Sequence, residues 1–91
     1  IDPAVMFSAL SKGSADSFAL RNHGMKAMLL DTFPQDAFST AYAMKDLSYA
    51  LELARDVGLD ASGAQLVQDR FRQAIDAGFR DSYFPVVSRV I

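Results

Sequence analysis

Cysteine is absent from the 91 residues, so disulfide staples and thiolate metal sites are both unavailable, and a reducing compartment is permitted. Glycine (5) and proline (3) are scarce, which argues against a turn-rich all-β fold and against disorder. Positive charge is not in excess. A net charge of −2 leaves no electrostatic footprint for nucleic acid or an anionic membrane, and no basic helix is present for helix-turn-helix reading of DNA. No run approaches the roughly 20 apolar residues of a membrane span, and no basic stretch followed by an apolar one opens the chain as a signal peptide would. The expectation is a cytoplasmic protein with no nucleic-acid or membrane partner. The chain opens Ile1-Asp2-Pro3 rather than with methionine, which reads as a processed start or a cut at a domain boundary.

What is present is enough for one domain spanning residues 1–91. Apolar residues make up 51%, and the length suits a single modest core. The spacing predicts an all-α fold, a compact bundle of about five helices. Asp2 followed by Pro3 is an N-cap with proline at the first helical position, where its missing N–H costs nothing. Val5, Met6, Ala9 and Leu10 lie on one side of this helix, which should stop at Gly13. A second helix is expected from Ser14 or Ser17 to about Leu30, with Phe18, Met25 and Met28 or Leu29 at helical spacing and a possible break at Gly24. Asp31-Thr32-Phe33-Pro34-Gln35 reads as a loop. A third helix should run from near Asp36 to Gly58, the residue type preferred just past a helix end. Ser62-Gly63-Ala64-Gln65 has the form of a capping box and opens a fourth helix, whose stripe is Val67, Phe71, Ala74 and Ile75 and whose end is Gly78. A short last helix is predicted from Tyr83 or Phe84 to Ile91, with Pro85 in its first turn.

The third helix is the informative one. Met44, Leu47, Leu51 and Ala54 form one apolar face, and Phe38, Tyr42, Lys45 and Tyr49 form a narrow stripe opposite. Lys45 therefore sits within aromatic residues. Three and four positions away lie Ala41, Tyr42, Ser48 and Tyr49, none acidic, so no partner comes from its own helix. Asp46 likewise has no basic neighbour at those offsets. Two readings of Lys45 follow. Its head can pass the aromatic rings to reach water, or it is an ammonium at a cleft edge that meets an anionic or polar ligand.

Other chemistry finds little support. His23 is the single histidine and reads as a surface residue; without cysteine or a second histidine nearby, no metal site is expected. The serines lack a positioned base. Asp31 and Asp36 flank a proline turn and read as turn and cap residues. Arg70 and Arg72, beside Asp69 and Asp76, read as a solvated face. Gly58 and Gly63 have no lysine following them and form no phosphate loop.

The arrangement Phe38-Ser39-Thr40-Ala41-Tyr42-Ala43-Met44-Lys45-Asp46-Leu47, followed by Ala50-Leu51-Glu52-Leu53-Ala54 and Gly58, resembles a motif of the β-hydroxyacid dehydrogenases. These include 3-hydroxyisobutyrate dehydrogenase and are related to 6-phosphogluconate dehydrogenase. Ile1-Asp2-Pro3 resembles the start of their C-terminal helical domain, and the turn Ser11–Ser17 the polar turn after its first helix. The resemblance implies a 6-phosphogluconate dehydrogenase C-terminal-domain-like fold that forms the substrate and cofactor cleft and the dimerisation surface of an NAD(P)-dependent 3-hydroxyacid dehydrogenase. It further implies that Lys45 contacts the nicotinamide cofactor and that Phe38 lines the same cleft, while Asp46 orients the helix or its neighbours. The cofactor, NAD or NADP, would be bound mainly by an N-terminal Rossmann domain, whose glycine fingerprint this sequence lacks. The family's catalytic lysine would also lie upstream, so no catalytic residue is assigned here. The partners implied are that Rossmann domain, further copies of the chain and a small hydroxyacid. There are two departures, the second of them close to the family's substrate side. The family's proline-rich turn is replaced by Leu59-Asp60-Ala61-Ser62-Gly63, and its late Asp-x-Ser-Ala by Tyr83-Phe84-Pro85-Val86. The alternative to the enzyme reading is a non-enzymatic helical interaction or dimerisation module of the same fold.

Overall fold

The computed structural model describes all 91 residues and contains five helices and no β-sheet. No helix is long and apolar enough to cross a membrane. Helix α1 spans Pro3–Leu10, with Asp2 as N-cap accepting from the Ala4 N–H at 2.8 Å and proline in the first turn. Helix α2, Leu20–Met28, is of the wide π type. Helix α3 spans Thr40–Asp56 and α4 Ser62–Ala74. A π turn over Ile75–Phe79 continues α4, and Gly78 there adopts φ +97°. Helix α5, Phe84–Val90, is of the tight 3₁₀ type with Pro85 in its first turn.

Several ends follow local chemistry. Beyond α3, the Gly58 N–H bonds to the Arg55 carbonyl and the Leu59 N–H to that of Ala54. This is a Schellman closure, and it requires the left-handed φ of +71° that Gly58 adopts. After α2 the same pattern recurs, with Asp31 N–H to Met28 and Thr32 N–H to Ala27. Here Asp31 takes the glycine position at φ +50°, a conformation aspartate tolerates better than most residues. Its carboxylate is gripped by Arg89, at 3.0 Å from Nε and 2.8 Å from Nη2. The Arg89 guanidinium also lies over the Phe33 and Phe79 rings, so α5 is clamped to the loop after α2. From the first turn of α2, Arg21 hydrogen-bonds Asp16 ahead of the helix and holds that carboxyl below its ordinary value.

Four details differ from the sequence-based expectation. Gly24 does not break α2. It is buried, and a Cβ there would sit 2.6 Å from Cε1 of Phe7, so the glycine lets the Phe7 ring dock against a helix whose bonds have widened instead. Helix α3 begins at Thr40 rather than near Asp36, because the backbone of Phe38 and Ser39 is engaged by the C-terminal segment. Phe38 therefore precedes the helix instead of lying on it. The Ser62–Gln65 capping box is not formed. Ser62 is already helical, its N–H is taken by Asp60 Oδ1 at 3.1 Å, and the Gln65 side chain turns to Gln68. His23 is half-buried rather than on the surface, packed edge-on against Phe18, Tyr83 and Phe84.

The core lies where α3, α4 and α5 meet, with α2 against α5. Its fully or nearly buried apolar side chains are Ala27, Leu51, Ala54, Phe71, Ala74 and Val86. The molecule is a slab 42 × 31 × 20 Å, two helix diameters thick, so much of each apolar stripe stays uncovered. Val5, Met6, Leu10, Phe18 and Val67 were read as stripe residues and are exposed, as are Leu53, Val57 and Leu66.

The Phe7–Gly24 contact makes α1 sensitive to one atom. Gly24→Ala adds about 1 kcal/mol of helix propensity, but it forces the ring away at a typical overpacking cost of about 1–3 kcal/mol. Hydrogen exchange should show lost protection in α1, restored in the Phe7→Ala/Gly24→Ala double variant. Unchanged α1 protection in the single variant would show that the contact does not hold α1.

Candidate functional site

Two segments far apart in sequence build the site. The Tyr83 N–H bonds to the Pro34 carbonyl, the Phe84 N–H to that of Phe38, and the Ala41 N–H to that of Arg80. Thr40, fully buried, donates from both its N–H (2.9 Å) and its hydroxyl (3.1 Å) to the Ser82 carbonyl, 42 residues away. Ser39 and Tyr83 form an isolated antiparallel bridge. The Ser39 hydroxyl caps α3 by accepting from the Tyr42 N–H at 3.2 Å. The first turn of α3 and residues 80–84 are thus fixed as one unit.

On that unit the aromatic stripe is continuous. Phe38 and Tyr42 stack with centroids 6.1 Å apart and planes at 30°, and Phe38 meets Phe84 edge-on. Lys45 Nζ lies 4.8 Å from the Tyr42 ring centroid, a cation–π distance. Phe38 and Tyr42 are 46% and 57% exposed, so this face is built but uncovered. Lys45 has no carboxylate within 4.0 Å. It borders an open cavity of about 540 Å³ lined by Ser39, Ala41, Tyr42, Lys45, Arg80 and Asp81.

The structure brings Lys45 and Phe38 onto one face through Tyr42, although Phe38 does not itself line the cavity. Asp46 is exposed and makes no hydrogen bond or ion pair with another side chain, so the orienting role suggested for it has no contact behind it. Arg80 and Asp81, which border the cavity, were not singled out by sequence reasoning. The signal available was their position directly before Tyr83-Phe84-Pro85-Val86, where the sequence departs from the family pattern on the substrate side. Tyr83 hydrogen-bonds His23 Nδ1 through its hydroxyl at 2.5 Å, which ties the segment of residues 80–84 to α2. No three His, Asp or Glu side chains converge as a metal site would require.

Chemically, the rim offers an aromatic face, two cations without carboxylate partners and one carboxylate. These suit the edge of an anionic, ring-bearing ligand such as a dinucleotide, while the chain supplies no glycine-rich loop to cradle its phosphates. The model of the family described as the NAD-binding domain of NADP-dependent 3-hydroxyisobutyrate dehydrogenase matches residues 1–91. The chain belongs to that family, and so to the β-hydroxyacid dehydrogenases. No curated protein matches the sequence.

Proposed function

We propose that this chain is the C-terminal helical domain of an NAD(P)-dependent 3-hydroxyacid dehydrogenase, of the 3-hydroxyisobutyrate type, and that it closes the cleft over a cofactor held mainly by a Rossmann domain. The observation that carries the reading is Lys45. It is an ammonium placed over Tyr42 at the border of a cavity, with no acidic partner, in a family named for NAD binding. The bound nicotinamide supplies or accepts the hydride. Lys45 contributes positive charge at the cleft edge, and the Phe38–Tyr42 stack contributes an apolar wall that excludes water from that side. Neither transfers a proton in this reading.

The uncovered stripes support the rest of the proposal. Val5, Met6 and Leu10 on α1, together with Leu53, Val57 and Leu66 on and beside α3 and α4, are large apolar side chains left exposed, the kind of surface that partners cover. The Rossmann domain and a second copy of the chain are the proposed partners. Two outcomes follow for the purified 91-residue protein. It should show no dehydrogenase activity, and measurable hydride transfer would refute its being a part-site. It should also self-associate as concentration rises in sedimentation velocity, where a sharp monomer throughout would refute the partner surface.

The gene itself gives the decisive test. Upstream of the Ile1 codon, the proposal expects a strand-linked G-x-G-x-x-G, and a lysine four residues before an asparagine on the preceding helix. An unrelated upstream domain would favour the interaction-module reading instead.

A further inference from the structure

Most cations of this chain are engaged by a side chain. Arg21 is held by Asp16, Lys26 by Asn22, Arg70 by Gln73, Arg72 by Asp69 and Arg89 by Asp31. Lys12, Lys45, Arg55 and Arg80 have no such partner. Lys12 and Arg55 each border a different cavity, with no second cation. Lys45 and Arg80 border the same one.

Their proximity is built in. The Ala41 N–H holds the Arg80 carbonyl at 3.1 Å, and Lys45 lies four residues further along α3, a rise of about 6 Å. The backbone donors nearby are already used: Thr40 N–H by Ser82, Ala41 N–H by Arg80 and Tyr42 N–H by the Ser39 hydroxyl. Anion binding at this place therefore falls to the two side chains. The Tyr42 ring, 4.8 Å from Lys45 Nζ, forms an aromatic wall beside them. Asp81 borders the same cavity without pairing to either cation, so the rim carries one net positive charge.

We propose that Lys45 and Arg80 form a two-point oxyanion subsite, with Arg80 as a binding residue for the ligand's carboxylate or phosphate group. This rests on the cleft reading of Lys45 and extends it to a residue from the other segment. Arg80 presents a planar fork that suits two oxygens of one oxyanion, and Lys45 adds a point charge. Asp81 accepts a hydrogen bond from a hydroxyl next to that group, which favours a hydroxy acid or a ribose phosphate over a bare anion.

The test is amide-resolved NMR titration of the 91-residue protein with 3-hydroxyisobutyrate, with NADH and with inorganic phosphate, in the wild type and in Arg80→Gln. Both proteins are first matched by thermal melting; Arg80 is exposed and its backbone bond is unaffected by the change. The expected result is a saturable shift at residues 41–45 and 80–82 together, weakened by salt, with Arg80→Gln raising the dissociation constant about tenfold. The probe that binds most tightly identifies the source: hydroxyacid carboxylate, dinucleotide phosphate or any oxyanion. Shifts confined to 38–45 and indifferent to Arg80→Gln would overturn the subsite while leaving the cleft reading of Lys45 standing. The absence of saturable shifts at either segment, with all three probes at tens of millimolar, would also overturn the subsite, while the cleft reading of Lys45 is decided separately by the cofactor KM of Lys45→Gln.

Discussion

Phe71→Ala is expected to cost most of this domain's stability. Phe71 is 8% exposed and meets Phe84 edge-on, with ring centroids 6.3 Å apart. It is the one aromatic side chain that α4 contributes to the junction with α3 and α5, where much of the remaining buried core is alanine or valine. Removing a buried phenylalanine side chain costs about 3–5 kcal/mol, because neighbours only partly collapse into the void. Domains of this length are stable by about 5–14 kcal/mol, and a thin slab with few buried residues belongs toward the low end. Urea unfolding should show the midpoint falling by half or more, while Phe71→Leu, which keeps most of the volume, should recover much of the loss. An unchanged midpoint in Phe71→Ala would mean that the α3–α4–α5 junction is not the core.

The second large effect concerns binding without stability. Lys45→Gln, made in the full-length dehydrogenase proposed to carry this domain, is expected to raise KM for the nicotinamide cofactor about tenfold or more, the loss typical of a charge-assisted contact. The melting temperature should stay nearly unchanged, because the exposed ammonium has no carboxylate partner to abandon and surface substitutions of this kind cost little. Lys45→Arg should recover part of the affinity. The pH dependence of kcat should not move, since Lys45 is not assigned a proton. A wild-type cofactor KM in Lys45→Gln would return Lys45 to a solvated role over Tyr42. A shifted kcat profile would make it a proton-transfer group instead.

The expectations that held concern chemistry within a few residues. Asp2-Pro3 opens α1, and Gly58 closes α3, because caps and left-handed turns are decided by the backbone groups they satisfy locally. Residues that faced a distant segment were read less well. His23 looked like a surface histidine because no residue near it in sequence offers a partner; its partner is the Tyr83 hydroxyl, 60 positions away. Helix α3 looked four residues longer at its start, because helical periodicity does not register that Phe38 and Ser39 pair with the chain's end. The exposed stripes were legible as apolar and illegible as uncovered, since periodicity shows which face is apolar and not what lies against it.

By itself the sequence determined the all-helical class, the order of helices and the stripe that puts Tyr42 and Lys45 on one face, since a rise and a turn per residue relate near neighbours directly. It also left Lys45 without a partner on its own helix. Only the tertiary structure decided that Arg80 comes to the same cavity, that Thr40 is buried in the joint that brings it there, and that Gly24 receives the Phe7 ring. Each of these depends on backbone hydrogen bonds or packing between segments separated by many residues. Such contacts form only when the whole chain offsets the entropy of bringing the segments together, and no local pattern encodes them.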